Sequence, residues 1–233
     1  MDLRIQNTQR FVNVKEYIFK SSGLLCTISA LVFEIILSNS RCWRLWDFDN
    51  KVVQFVCIGL WQIYYPQDFN ISGSMTRMLV YTPITSTWTM SLEFQCSQDL
   101  IMWAILMKTI VLIFSLVAIK ISSMNDPFTE IEFFCYRMSA IILGVSSILT
   151  FVAVTLNHLV DIYGHTTFDF PPYFPVKKED IIKKHCTIVF PVGVLTANMS
   201  LFGAIMFLYE MSSLTVQSQV KAKCAPKLAE QKA

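Results

Sequence analysis

Four stretches of the chain lose almost all of their polar positions. They run over 18–40 ("IFKSSGLLCTISALVFEIILSNS"), 99–121 ("DLIMWAILMKTIVLIFSLVAIKI"), 133–159 (including "SAIILGVSSILTFVAVTL") and 186–209 ("CTIVFPVGVLTANMSLFGAIMFLY"). Each offers about 20 mainly apolar residues, enough to cross a hydrocarbon core about 30 Å thick. Backbone groups in lipid must be satisfied within their own segment, so the pattern predicts four helices. The first stretch is longer than the apolar core of a signal peptide, about 7–15 residues, and ends in "SNSRCW" without a small-residue cleavage pattern. It reads as a retained helix.

The segments between these stretches differ in character. Within 41–98, "KVVQFVCIGLWQIYY" and "MTRMLVYTPITSTWTMSLEFQC" are rich in Val, Ile, Phe, Trp and Tyr, as strands are. The intervening "PQDFNISGS" carries turn residues. The fold class expected is an all-α membrane protein, a four-helix transmembrane bundle with a small antiparallel extracellular β-sheet from the first loop. The remaining segments are an N-terminal stretch (1–17), a turn (122–132), a second loop (160–185) and a tail (210–233). Gly144, Ser146 and Ser147 in the third span, and Gly193, Ala197 and Gly203 in the fourth, are small enough for close helix packing. Pro191 predicts a bend in the fourth.

Composition agrees with the pattern. Hydrophobic residues make up 54% of the 233 positions and charged residues only 15%, where soluble domains carry about a quarter charged. Mean hydropathy is +0.48. A net charge of +2 gives no basic surface for nucleic acid, so the partner implied by composition is membrane lipid. Four spans put both termini on one side. Ten Lys and Arg fall on the side of the termini and eight on the other, so the positive-inside rule leans toward cytoplasmic termini despite Lys177, Lys178, Lys183 and Lys184 in the second loop. The triplet Asn70-Ile71-Ser72 is a glycosylation acceptor pattern and leans the same way; Asn198-Met199-Ser200 matches too but falls within the fourth span.

No catalytic signature emerges: the chain has no P-loop, no G-x-S-x-G and no H-E-x-x-H. His158, His165 and His185 lack the spacing and cysteine companions of a zinc site. His158 and Asp161 share a helix face, which a local hydrogen bond explains better than catalysis. No enzyme activity, metal or cofactor is expected.

Trp43 and, after an interval of 17 residues, Trp61 of Gly59-Leu60-Trp61, on a four-span layout with a long β-rich first loop, together resemble the claudin family over about residues 15–210. "CIGLW" and "FDFPPYFP" are similar to stretches that recur in a divergent subgroup of it. The resemblance implies that Trp43, Gly59, Leu60 and Trp61 anchor the extracellular sheet to the helices, with Trp61 wedged beside Trp43 at the outer edge of the bilayer. The family pattern departs here in places. Tyr64 stands where the family has the first cysteine of its loop disulfide, "EFQCSQD" lacks the usual Arg before the second helix, and "AEQKA" lacks the PDZ-binding end, so no PDZ-scaffold binding is expected.

Of seven cysteines, Cys42, Cys57, Cys96 and Cys186 fall on the oxidising side, with Cys26 inside a span and Cys135 and Cys224 on the other side. Four thiols allow three full pairings. Cys57 with Cys96 is the pairing expected, since both belong to the long loop and its sheet; free thiols or a link to another chain are the alternatives. Glu34 and Lys108 lie inside predicted spans, where ionisable groups are costly and face a partner or a cavity. Both fall about 13 Å below the outer boundary at the helical rise per residue, which predicts an intramembrane ion pair, with separate snorkelling as the alternative.

The resemblance implies a plasma-membrane, multi-pass protein at tight junctions, engaged in cell–cell adhesion and a paracellular barrier, partnered by like molecules side by side and from the opposing cell. Phe168, Phe170, Tyr173 and Phe174 of the second loop would then form a contact surface, and Asp68 would be the one acidic group beside the path lined by the first loop. The alternative is a tetraspan auxiliary subunit of a channel or other membrane protein that forms no junctional strands.

Overall fold

The computed structural model describes residues 2–71, 74–85, 88–123, 129–164 and 168–230, without the side chains of 2–19, 71, 129 and 217–230. Ten elements follow one another: helix α1 (Asp2–Ser38), strands β1 (Arg44–Phe48), β2 (Phe55–Ile58), β3 (Gln62–Ile71) and β4 (Ser74–Pro83), helices α2 (Leu92–Ser123) and α3 (Thr129–Tyr163), a 3-10 turn (Lys178–Asp180), strand β5 (Ile181–His185) and helix α4 (Val189–Glu230). Each of the four helices contains a stretch long and apolar enough to cross a membrane: Lys20–Ser38, Leu92–Ser123, Glu130–Tyr163 and Val189–Val216. Only 28–44% of each apolar window is buried inside the protein. The outward positions of these windows, such as Ile36, Trp103, Ile148 and Phe202, are exposed apolar side chains, which water would not tolerate in such numbers. The chain is a multi-pass membrane protein.

The helices outrun the apolar stretches. Helix α2 begins seven residues before Asp99, with the Ser91 carbonyl accepting from the backbone N–H groups of Phe94 (3.0 Å) and Gln95 (3.2 Å). Glu93 in the first turn of α2, Lys120 in its last, and Glu130 and Glu132 in the first turn of α3 all complement the helix dipole. Pro191 falls at the start of α4. It occupies the first turn, where its missing N–H would have had no intrahelical partner in any case.

The chain divides into two compact units. The helical unit comprises the residues up to Leu31, Leu106–Ser147 and those from Asn198 on. Its core is Val111, Ala118, Tyr136, Ala140, Leu143, Ala204 and Phe207, with the Tyr136 and Phe207 rings stacked at 5.9 Å. Lys20 donates to Glu132 at 3.0 Å and to Ser122 at 2.7 Å.

The sheet unit comprises Val32–Ile105 and Ile148–Ala197. Its sheet has the order β4-β3-β2-β1-β5, antiparallel at every pairing. The expected sheet drew only on the first loop; the fifth strand comes from the second loop, with Leu45 opposite His185 and Trp46 opposite Lys184. "IIKKH" lacks the alternation that marks a half-buried strand, because it lies at the sheet's edge with both faces largely open. Inward positions of β1, β2 and β3 (Trp46, Phe48, Val56, Ile58, Ile63) form one core with Trp88, Phe94, Phe168 and Phe174. Gly193 permits close helix approach here, since a Cβ would lie 2.3 Å from Val154. Gly144, expected to act alike, faces no atom within 4 Å.

Candidate functional site

The residues carried by the family resemblance lie together in the sheet unit, at the end of α1. Trp43 is only 3% exposed; its indole N–H donates to the Leu37 carbonyl at 2.9 Å, using one of the helix-end acceptors that have no partner within α1. Gly59-Leu60-Trp61 makes the turn from β2 to β3, closed by Gly59 N–H to the Gln62 carbonyl at 2.9 Å. A Cβ on Gly59 would stand 2.9 Å from the Ser40 carbonyl and 3.0 Å from that of Gln62, so the tight approach requires glycine. Leu60 is buried, and its carbonyl accepts from the Gln98 side chain on α2. Trp61 departs from the expectation. Its indole N–H is anchored on the Ser38 carbonyl at 3.1 Å, yet the ring is 41% exposed rather than wedged beside Trp43.

The cysteine pairing is corrected as well. Cys57 is joined to Cys42, with Cα atoms 4.8 Å apart, while Cys96 is a free thiol exposed on α2. The reason is the register. Trp43 N–H donates to the Ile58 carbonyl at 2.8 Å, which brings position 42 beside position 57, whereas Cys96 sits on the outward face of a helix. Tyr64 lies opposite Cys57 on β2 and opposite Tyr81 on β4, and its ring is 6.1 Å from that of Tyr81. At the position where the family pattern has a cysteine, Tyr64 makes an aromatic contact between these strands.

Behind the anchor lies a buried polar network that the sequence reading did not assemble. Arg44 is fully buried. Its Nε donates to Asn157 Oδ1 at 2.9 Å and lies 3.8 Å from Asp161 Oδ1. Trp46 Nε1 donates to Asp161 Oδ1 at 2.8 Å, and Lys184 Nζ to the Asp161 backbone carbonyl at 2.8 Å. The Arg44 guanidinium stands 5.1 Å from the Phe94 ring centroid, and the Lys184 ammonium 5.6 Å from that of Trp46. Burial draws both cations below their ordinary pKa range, and Asp161 draws each partly back. The signal present in the sequence was the Asn157/Asp161 spacing of four on α3. His158 does not bond Asp161 in place of these partners but stacks on Phe190 at 4.3 Å. His185 Nε2 lies 2.6 Å from Asp47 Oδ2, and His165 falls outside the described residues. Among the described residues no three of His, Cys, Asp and Glu gather in a metal-holding group.

The second-loop aromatics are mostly internal. Phe168 and Phe174 are buried and Phe170 is half-buried. Trp46 packs edge-on against Phe168 and Phe170, each at 6.0 Å, Trp88 against Phe174 at 5.2 Å, and Phe170 stacks on Phe174 at 4.8 Å. Only Tyr173, 66% exposed, remains on the surface of the four expected contact residues. Three rings on one short loop lower their free energy more by filling the core than by standing in water.

Asn70 is exposed on β3 opposite Met75, with Ser72 of its triplet outside the described residues. Asp68 is paired with Arg77 at 3.1 Å. In the sheet unit, the fully buried Glu34 accepts from Thr150 Oγ1 at 2.9 and 3.1 Å. In the helical unit, the fully buried Lys108 donates to Ser146 Oγ at 2.8 Å.

No family model matches the chain, and no curated protein is significantly similar to it.

Proposed function

We propose that this protein is a claudin-like membrane protein of cell–cell contacts, adhering through its sheet and contributing to a paracellular barrier. The observation that carries the reading is the anchor itself. Trp43, Gly59, Leu60 and Trp61 fasten a five-stranded sheet, drawn from both loops, to the ends of apolar helices, as the resemblance to that family implies. The edge strand β4 supports an associating surface, since Met75, Met78, Leu79 and Tyr81 are all exposed on it and its outer backbone edge is unpaired within the sheet. The second-loop contact surface narrows to Tyr173. In this reading the termini are cytoplasmic and like molecules meet in one membrane and from the next cell.

The second reading is an auxiliary subunit of another membrane protein. Tyr64 favours it, because the family's strand-joining cysteine is replaced by an aromatic contact. Expression in cells that lack junctions separates the two. Enrichment where two expressing cells touch, with strands in freeze-fracture images, supports adhesion. Diffuse surface staining with a co-purifying channel overturns it in favour of the subunit.

A further inference from the structure

A cleft of about 250 Å³ opens at the end of α1, lined by Asn39, Ser40, Gly59, Trp61, Gln62 and Tyr64. It lies immediately past Ser38, where the apolar span Lys20–Ser38 ends, the level at which lipid headgroups begin. Three features give it a defined chemistry. Backbone carbonyls stand beside Gly59: those of Ser40 and Arg41 lie within 3.3 Å of where its Cβ would be, and that of Gln62 accepts from Gly59 N–H. The negative end of the α1 dipole points there, and the last turn of α1 carries no basic residue to offset it. An aromatic wall follows, with the two-fifths exposed Trp61 ring held by its N–H to Ser38 and the Tyr64 hydroxyl held by Gln62 at 2.7 Å. At the rim, the Arg41 guanidinium lies 5.5 Å from the centroid of the Tyr64 ring. The disulfide Cys42–Cys57 fixes the chain that carries Arg41 against β2.

Carbonyl oxygens and an exposed indole attract an organic ammonium, while a guanidinium at the rim pairs with a phosphate. We propose that this cleft binds the zwitterionic headgroup of a phospholipid, its ammonium against Trp61 and the Ser40 and Arg41 carbonyls and its phosphodiester on Arg41. The bound lipid orients the sheet on the membrane surface. The site is built by the end of α1 and the β2–β3 turn and is independent of any role in cell contact.

The test uses the full chain purified in detergent, with retained ligands counted by native mass spectrometry. The probes are phosphatidylcholine, phosphatidylglycerol and soluble phosphocholine. One phosphatidylcholine is expected to stay bound in preference to phosphatidylglycerol. Arg41→Gln and Trp61→Leu each weaken its retention about tenfold, the scale of a lost charge pair or cation–π contact, while Tyr64→Phe and the distant Tyr173→Ala keep it. Arg41 is exposed, so its variant reports even if Trp61→Leu fails to fold. Equal retention of phosphatidylglycerol, or retention indifferent to Arg41→Gln, overturns the site. Soluble phosphocholine binding as tightly as the lipid assigns the same chemistry to a soluble ligand and overturns the membrane role.

Discussion

The indole N–H of Trp46 on β1 donates to the Asp161 carboxylate in the last turn of α3 at 2.8 Å. The same carboxylate faces Arg44 at 3.8 Å, so one acid serves two buried donors from a single strand. Removing one partner of a buried charge pair is far more damaging than the pair is stabilising, because the remaining charge stays desolvated. Asp161→Ala is therefore expected to cost about 3–5 kcal/mol. Asp161→Asn, which keeps an acceptor for Trp46, is expected to lose less. Thermal unfolding of the detergent-solubilised protein, followed by size-exclusion fluorescence, ranks the two; equal midpoints for both variants and the parent would show that the network carries no stability.

The Cys42–Cys57 link closes a loop with a sequence separation of 15. In the chain-entropy account, opening a loop of about that size removes roughly 3 kcal/mol. Cys42→Ser and Cys57→Ser are expected to lower the unfolding midpoint equally, and Cys96→Ser not at all. Mass spectrometry of the unreduced protein should recover the Cys42–Cys57 peptide pair and find Cys96 labelled by maleimide. A Cys57–Cys96 peptide would contradict this register.

Phe174 and its neighbour Tyr173 give opposite expectations. Truncating a packed ring costs about 3–5 kcal/mol, so Phe174→Ala should sharply reduce folded protein. Tyr173→Ala at an exposed position should stay within about 0.5 kcal/mol of the parent, and any loss it causes should appear in contact assays between expressing cells. A Phe174→Ala protein of parental stability would move that ring back to the surface.

Glu34 and Lys108 are both fully buried, each held by a hydroxyl within its own unit. Thr150→Val and Ser146→Ala each remove a hydrogen bond to a buried charged group and are each expected to cost about 1.5–3 kcal/mol. Unfolding midpoints equal to the parent's in both variants would show that these hydroxyls carry no stability.

The apolar runs alone determined the four spans, because a span is a local property: about twenty successive side chains must suit lipid, and each helix satisfies its own backbone. The strand-rich first loop was legible for a similar reason, as a short pattern with its own geometry, while the anchoring places of Trp43 and Gly59-Leu60 came from the family resemblance. Tertiary structure decided what depends on partners distant in sequence. The register of β1 against β2 chose Cys42 for Cys57, and pairing at an edge made a strand of Ile181–His185. The core absorbed Phe168 and Phe174 and left Trp61 at the surface. Arg44 shows the limit most plainly: on the sequence it is one cation in a strand-rich loop, and only α3, more than a hundred residues on, supplies the Asn157 and Asp161 that let it be buried. Burial of a charge is fixed by the groups that surround it, and those are assembled only when the chain has folded.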